Sequence, residues 1–388
     1  MITNEICPIE VSRRSVIAVA LLTMATPIMA AEPTIKIGAI VSASGPASFL
    51  GDPEQKTLEL YVGRINAAGG VLGRKLELFS YDDASDANKA NAFTRRLILQ
   101  DQVNAIIGAS TTGSTMAMIP QIESAKLPNI SLAGGSVIVE PVKHWVFKMP
   151  HSDRMAAQKV LDDMKGRGIK SFALLSDTGG FGKSGRTETT KIAAVMGMTI
   201  AEDEQYGEKD TDMTPQLTKI KSSRAQAILV FGTGQAAAVV ARNYQQLVMK
   251  QPLYMTHSQA SLEFVRLAGR AAEGIRMPSP ALLIAQDLPD SDKQKAVCLA
   301  YTKVYQDRFK TDVSTFGGYA YDGLLMLVDA IKRAGSSDGE KVRAAIETTR
   351  GFVGVSGVYN MSPTDHMGLD TSAFRMVEVS NGAFKEVH

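Results

Sequence analysis

The stretch Ile65-Asn66-Ala67-Ala68-Gly69-Gly70-Val71-Leu72-Gly73-Arg74-Lys75-Leu76-Glu77-Leu78, running on to Tyr81-Asp82-Asp83-Ala84-Ser85-Asp86, decides how this chain is read. It reads as a helix end, a glycine stop, a tight turn, a short strand and a polar loop. Glycine supplies the left-handed backbone that a helix terminus needs. Upstream, residues 54–66 form a helical pattern with Leu58, Val62 and Ile65 on one face, and Ile35-Lys36-Ile37-Gly38-Ala39-Ile40 reads as a strand. Downstream follow a strand over residues 75–81, a helix over 87–100, a strand over 104–108, a helix from about Ser114 and a strand over 129–132. Apolar runs alternating with amphipathic stretches imply a mostly parallel sheet covered on both faces.

The rhythm restarts near Met149-Pro150-His151. Helices are expected over residues 156–165, 184–196, 215–222, 235–248 and 261–269, and strands over 171–175, 227–231 and 253–256. A second α/β unit therefore follows the first. Met277-Pro278-Ser279-Pro280 suits a linker, since proline stops regular structure and stiffens a connection. Three further helical patterns, over 293–309, 316–334 and 340–348, precede a tail strand at 374–379 and a tight turn at Asn381-Gly382.

Arg13-Arg14 stand before a short apolar run over residues 16–24, and Pro27-Ile28-Met29-Ala30-Ala31 follows. A basic segment, a short apolar segment and a small-residue cleavage site describe a secretory signal peptide over residues 1–31, too short to span a bilayer. Cys7 lies within it and Cys298 then stands alone, so no intrachain disulfide is expected in the mature protein. The 42 Lys and Arg against 40 Asp and Glu leave a net charge of +2 and no basic run, which argues against nucleic acid as a partner. Beyond the leader no apolar segment suits a transmembrane helix, so the mature chain is not expected to insert in a membrane.

Two glycine loops imitate nucleotide sites. Asp177-Thr178-Gly179-Gly180-Phe181-Gly182-Lys183-Ser184 nearly matches a phosphate-binding loop, but an aspartate replaces its first glycine and would repel phosphate. Gly232-Thr233-Gly234-Gln235-Ala236-Ala237 matches a loose dinucleotide fingerprint, but the strand that should end in an acid ends Met255-Thr256-His257-Ser258. There is no G-x-S-x-G elbow, the five histidines are scattered, and no H-E-x-x-H occurs. A binding protein is expected, without enzyme activity, cofactor or metal. Two hydroxyl-rich turns remain, Ser110-Thr111-Thr112 in the turn after one strand and Ser131-Leu132-Ala133-Gly134-Gly135-Ser136 in the turn after the next. Hydroxyls and unpaired helix N–H groups there make an anion site, at the sheet edge where open α/β sheets hold ligands.

The opening stretch, together with Ser44-Gly45-Pro46, Leu50-Gly51-Asp52, Tyr81-Asp82-Asp83, Ile107-Gly108 with its Ser/Thr cluster, Phe181-Gly182 and Ala272-Glu273-Gly274, resembles the leucine/isoleucine/valine-binding proteins and their relatives. The resemblance implies a type I periplasmic binding protein fold, two doubly wound α/β lobes joined by a three-segment hinge, with lobe 1 over residues 32–150 and 281–355 and lobe 2 over 151–280 and 356–388. It also implies a monomer in the periplasm that hands a small carboxylate to an ABC permease and its ATPase subunits. In that family a hydroxyl of the first turn binds the ligand carboxylate, and Thr112 aligns with it. Ala133 aligns with a backbone contact. The second hydroxyl falls on Gly135, which follows Gly134, with Ser136 one residue on as its substitute. Phe181 aligns with an aromatic residue that closes over the ligand, Leu50 with an entrance tyrosine, and Gly234 with an aromatic of lobe 2. Amino-acid binders of the family place an acid where this chain has His257 and Ser258. Burying an ammonium with no partner costs several kcal/mol, of the order of the effective penalty per buried ion. The expected ligand therefore keeps a carboxylate and lacks the α-amino group: an aryl or branched carboxylate or a keto acid. Asp177 or Glu204 is the alternative partner for an ammonium, and a branched-chain amino acid the alternative ligand.

Overall fold

A computed structural model describes residues 34–388 and Met1; the signal-peptide reading lies outside these residues. Residues 34–388 build two sheets that repeat one plan. The first holds β1 (Ile35–Val41), β2 (Leu76–Asp82), β3 (Ala105–Gly108), β4 (Asn129–Ser131) and β5 (Val146–Lys148), all parallel in the order 2-1-3-4-5. The second begins with β6 (Ser171–Asp177), β7 (Thr199–Tyr206), β8 (Ala227–Phe231), β9 (Leu253–Tyr254) and β10 (Arg276–Ser279), parallel in the equivalent order 7-6-8-9-10. A short hairpin, β11 (Phe352–Val353) and β12 (Val358–Tyr359), precedes β13 (Arg375–Ser380) and β14 (Ala383–Glu386), which extend the second sheet antiparallel from β10. Near-continuous apolar strands such as Ala105-Ile106-Ile107-Gly108 and Ala227-Ile228-Leu229-Val230-Phe231 are buried throughout, as parallel sheets covered on both faces require.

The helices are α1 (Ser48–Ala67), α2 (Ala87–Arg96), α3 (Thr112–Ala125), α4 (Asp153–Gly166), α5 (Gly180–Met196), α6 (Thr214–Ser222), α7 (Ala236–Gln246), α8 (Leu262–Ala268), α9 (Lys295–Phe309), α10 (Thr315–Ala334) and α11 (Gly339–Glu347). The opening stretch folds as its residues dictate. α1 ends at Ala67, the Gly70 N–H returns to the Ile65 carbonyl at 2.9 Å, and Gly69, Gly70 and Gly73 all take positive φ before β2. α1 begins at Ser48, six residues earlier than the pattern suggested, with Pro53 inside it. α3 begins at Thr112, not near Ser114, because the Thr111 hydroxyl caps it by accepting the Ser114 N–H at 3.2 Å.

The chain passes between the sheets three times: after β5, after β10, and ahead of β13. The hairpin ahead of the third passage is pinned by the buried Asp322 of α10, which accepts the N–H groups of Val355 (2.8 Å) and Ser356 (2.9 Å) and the Tyr359 hydroxyl (3.2 Å). Residues beyond it lie against β5, where His366 takes the Lys148 N–H on its carbonyl at 3.0 Å. Cys298 is buried in α9, its thiol 3.5 Å from the Val355 carbonyl, and burial pushes its pKa up. Among the described residues no helix is long and apolar enough to cross a membrane.

Candidate ligand-binding site

Both sheets reverse strand order between their first two neighbours in sequence, so the turns after β1 and β3, and after β6 and β8, flank crevices at their carboxyl edges. A pocket of about 350 Å³ lies where these turns meet. Leu50, Ser110, Thr111, Thr112, Gly134, Phe181, His257 and Ser258, eight of the twelve residues expected from sequence, line it. Leu132, Pro150, Thr233, Phe316 and Tyr319 complete the wall. Gly234 lines a larger outer cleft of about 940 Å³ beside Pro46 and Asp86. Ala133, Gly135 and Ser136 are not among the lining residues. The Ala133 N–H goes to the Ser131 hydroxyl (3.2 Å), and the Ser136 N–H goes to Asp153 Oδ1 (3.0 Å) at the start of a short 3-10 turn.

The hydroxyls in the wall differ in what they have left to give. Ser110 donates to the buried Glu54 carboxyl and accepts the Ser42 N–H at 2.9 Å. Burial raises the Glu54 pKa well above the usual carboxylate range, against the lowering effect of the Ser110 hydrogen bond. Ser258 donates to the Gly232 carbonyl at 2.6 Å. Thr112 accepts the Gly135 N–H at 3.1 Å, and its own proton has no acceptor among the described residues. The N–H groups of Thr112 and Gly113 are likewise without a partner there, at the positive end of a 14-residue helix. The Tyr319 hydroxyl is buried and unpartnered.

The second sheet contributes a different surface. Phe181 opens α5 with its ring edge-on to His257 (centroids 5.6 Å apart) and tilted on Phe231 (5.2 Å). His257 packs on Phe374, which stacks on His151 at 3.9 Å. Burial holds both imidazoles neutral, His151 down to about 3 and His257 well below its ordinary value. Gly134 sits so close beneath them that a Cβ would lie 2.8 Å from Phe181 Cε2 and 3.1 Å from His257 Nε2. No aspartate or glutamate lines the pocket. Glu204 faces away, paired with Lys219 at 2.9 Å. The Asp177 oxygens accept the N–H groups of Gly179 (2.9 Å) and Thr233 (2.6 Å), which knits together the two loops that resembled nucleotide sites. A carboxylate thus occupies the donors that a phosphate would need.

Sequence reasoning missed Phe316 and Tyr319, which α10 brings in from beyond the second unit's strands and helices, and Lys148, whose Nζ donates to the Gly134 carbonyl at 3.1 Å from behind the wall. Nothing local marks these positions: Phe316 and Tyr319 look like core, and Lys148 like an exposed lysine.

Two α/β lobes with a shared crevice, lined by the N-termini of α3 and α5 and by facing aromatic groups, define a two-lobed solute-binding protein. The chain belongs to the periplasmic binding protein family, whose model matches residues 34–383. It is 26% identical over 362 residues to a leucine-, isoleucine-, valine-, threonine- and alanine-binding protein of Pseudomonas aeruginosa, covering 91% of this chain and 90% of that one. Its structure is similar to an extracellular ligand-binding receptor from Rhodopseudomonas palustris HaA2 (TM-score 0.86, 26% identity, 91% of this chain and 99% of that one). It is also similar to the branched-chain amino acid transporter substrate-binding protein of Streptococcus pneumoniae in complex with isoleucine (TM-score 0.79, 25% identity, 91% and 98%). The family is one of solute-binding components of ABC transporters, not of enzymes.

Proposed function

We propose that this protein captures a small carboxylate without an α-ammonium, an aromatic or branched carboxylate or a keto acid, in the periplasm and delivers it to an ABC permease. One observation carries the reading: the pocket offers the Thr112 O–H and the Thr112 N–H, both without a partner among the described residues, and no lining carboxylate. The donors suit a carboxylate. A charge-assisted hydrogen bond contributes roughly 1.5–3 kcal/mol. An α-ammonium would enter with no acid to meet it, at a cost of several kcal/mol on the order of an unpaired buried ion. Leu50, Leu132, Pro150, Phe181 and Phe316 supply an apolar wall for the rest of the ligand. Binding would proceed by closure: the ligand docks on Thr112, and its contacts with Phe181 and His257 lower the free energy of the closed state.

Leucine and its keto acid share a carbon skeleton and differ at one group, so they test the reading directly. Calorimetry should show the keto acid and phenylacetate binding at least about tenfold more tightly than leucine, the equivalent of one unpaired polar contact. Tighter binding of leucine would end the proposal. It would favour the second reading, a branched-chain amino acid binder, for which the names of the relatives speak.

A further inference from the structure

Lys148 ends β5 and is fully buried. A buried ammonium normally has a carboxylate against it. Here the acceptors around Nζ are the Pro150 carbonyl (2.8 Å), the Gly134 carbonyl (3.1 Å) and Met367 Sδ (3.8 Å). Among the described residues no carboxylate lies within ion-pair distance of Nζ.

Of the acids that bias Lys148 from beyond ion-pair distance, Asp153 acts most: its Oδ1 accepts the N–H groups of Ser136 (3.0 Å) and Arg154 (2.7 Å), while its Oδ2 is buried without a hydrogen-bond partner, so it offsets part of the lysine charge. Glu140 pairs with Arg154 (2.5 Å), and Asp365 accepts the N–H groups of Met367 (3.0 Å) and Gly368 (2.9 Å). Asp322 is committed to the hairpin ahead of the third passage, and Glu347 to Arg343 and His366. His151 and His257 face Lys148 as neutral rings whose pKa values its charge helps to depress. The carbonyls of Gly134 and Pro150, both residues of the pocket wall, hold this cation behind it.

We propose that Lys148 is the counter-charge for the ligand: a carboxylate held at Thr112 neutralises it across Gly134, and the pocket thereby selects anions over zwitterions. This rests on the carboxylate reading above and supplies the charge which that reading lacked. A zwitterion would place its ammonium near a like charge. Lys148 acts through Gly134 and is a positioning residue, not a contact.

The consequence is proton uptake. Burial pushes the Lys148 ammonium down to about 7. A bound carboxylate favours the charged form, so above neutrality ligand binding draws a proton from solvent onto Nζ. Affinity is greatest where Lys148 is already charged and falls as pH rises. The fall between about pH 6 and pH 9 is tenfold for each unit by which the ligand raises the lysine pKa.

Calorimetry of the wild-type protein with phenylacetate and with the keto acid of leucine, at about pH 8 in buffers of different ionisation heat, reads this directly. Uptake of a sizeable fraction of one proton is expected, and its loss, with a flattened pH profile, in Lys148→Met. Asp177, pushed up to about 7 by burial on the other sheet, titrates in the same window. Uptake that survives in Lys148→Met would assign the proton to Asp177 and overturn the inference. So would carboxylates that bind the wild type with no uptake, a result that needs no variant and leaves the carboxylate reading standing. Failure of both carboxylates to bind overturns the reading and this inference together.

Discussion

The two walls of the pocket come from equivalent places on equivalent sheets and have opposite chemistry. On the first sheet the turn after β3 leaves donors over: the Thr112 O–H and the first N–H groups of α3 have no partner among the described residues. On the second sheet the equivalent turns spend their loop donors internally, Thr233 and Gly179 N–H on Asp177 and the Ser258 hydroxyl on Gly232, and leave over backbone N–H groups such as those of Gly180 and Phe181 at the start of α5. What the second wall presents is shape: the Phe181 ring and the neutral His257 imidazole lying over Gly134. One topology can thus place polar recognition on one lobe and closure on the other, because strand-end turns are free to bond outward or inward.

Removing the closing surface should have the largest effect. Phe181→Ala deletes a side chain that is only 6% exposed. Large aromatic truncations in cores cost about 3–5 kcal/mol, and a ring at a cleft should approach the lower end, roughly a hundredfold in Kd by calorimetry. Unchanged affinity would mean that the second wall does not close on the ligand. Thr112→Ala removes one charge-assisted bond, about 1.5–3 kcal/mol, and should weaken every carboxylate ligand alike regardless of its apolar end. A loss confined to one ligand would show that the first wall reads shape as well. Gly134→Ala tests the contact between the walls. Its methyl would press on Phe181 and His257, an overpacking of about 1–2 kcal/mol that should weaken binding while leaving the unliganded melting temperature in place. A melting temperature that drops with the affinity would show the two walls already joined without ligand.

The first wall was more legible in the sequence than the second. Ser110-Thr111-Thr112 is a hydroxyl cluster between a strand and a helix, and that local pattern is enough to expect free donors at a sheet edge. Which hydroxyl stays free was not legible. Ser110 and Thr112 are two residues apart, yet Ser110 is taken by Glu54, fifty-six residues away in sequence, and Thr112 is left with its proton. The reverse happened at Asp177. Sequence alone kept it open as a partner for an ammonium, but the fold turns its oxygens onto two backbone N–H groups.

By itself the sequence determined the scaffold: the helix stop at Gly69-Gly70, the alternation of strands and helices, and a run Met255-Thr256-His257-Ser258 that carries no acid. These depend on backbone preference, periodicity and residue identity, which are local. Only the tertiary structure decided that Phe316 and Tyr319 reach the pocket, that the Gly232 and Asp177 loops bond to one another, and that Lys148 is buried against Gly134 without a carboxylate beside it. Burial and the choice of hydrogen-bond partner belong to pairs of residues far apart in the chain, and their consequences, a free hydroxyl or an unpaired charge, exist only once the two sheets are brought together.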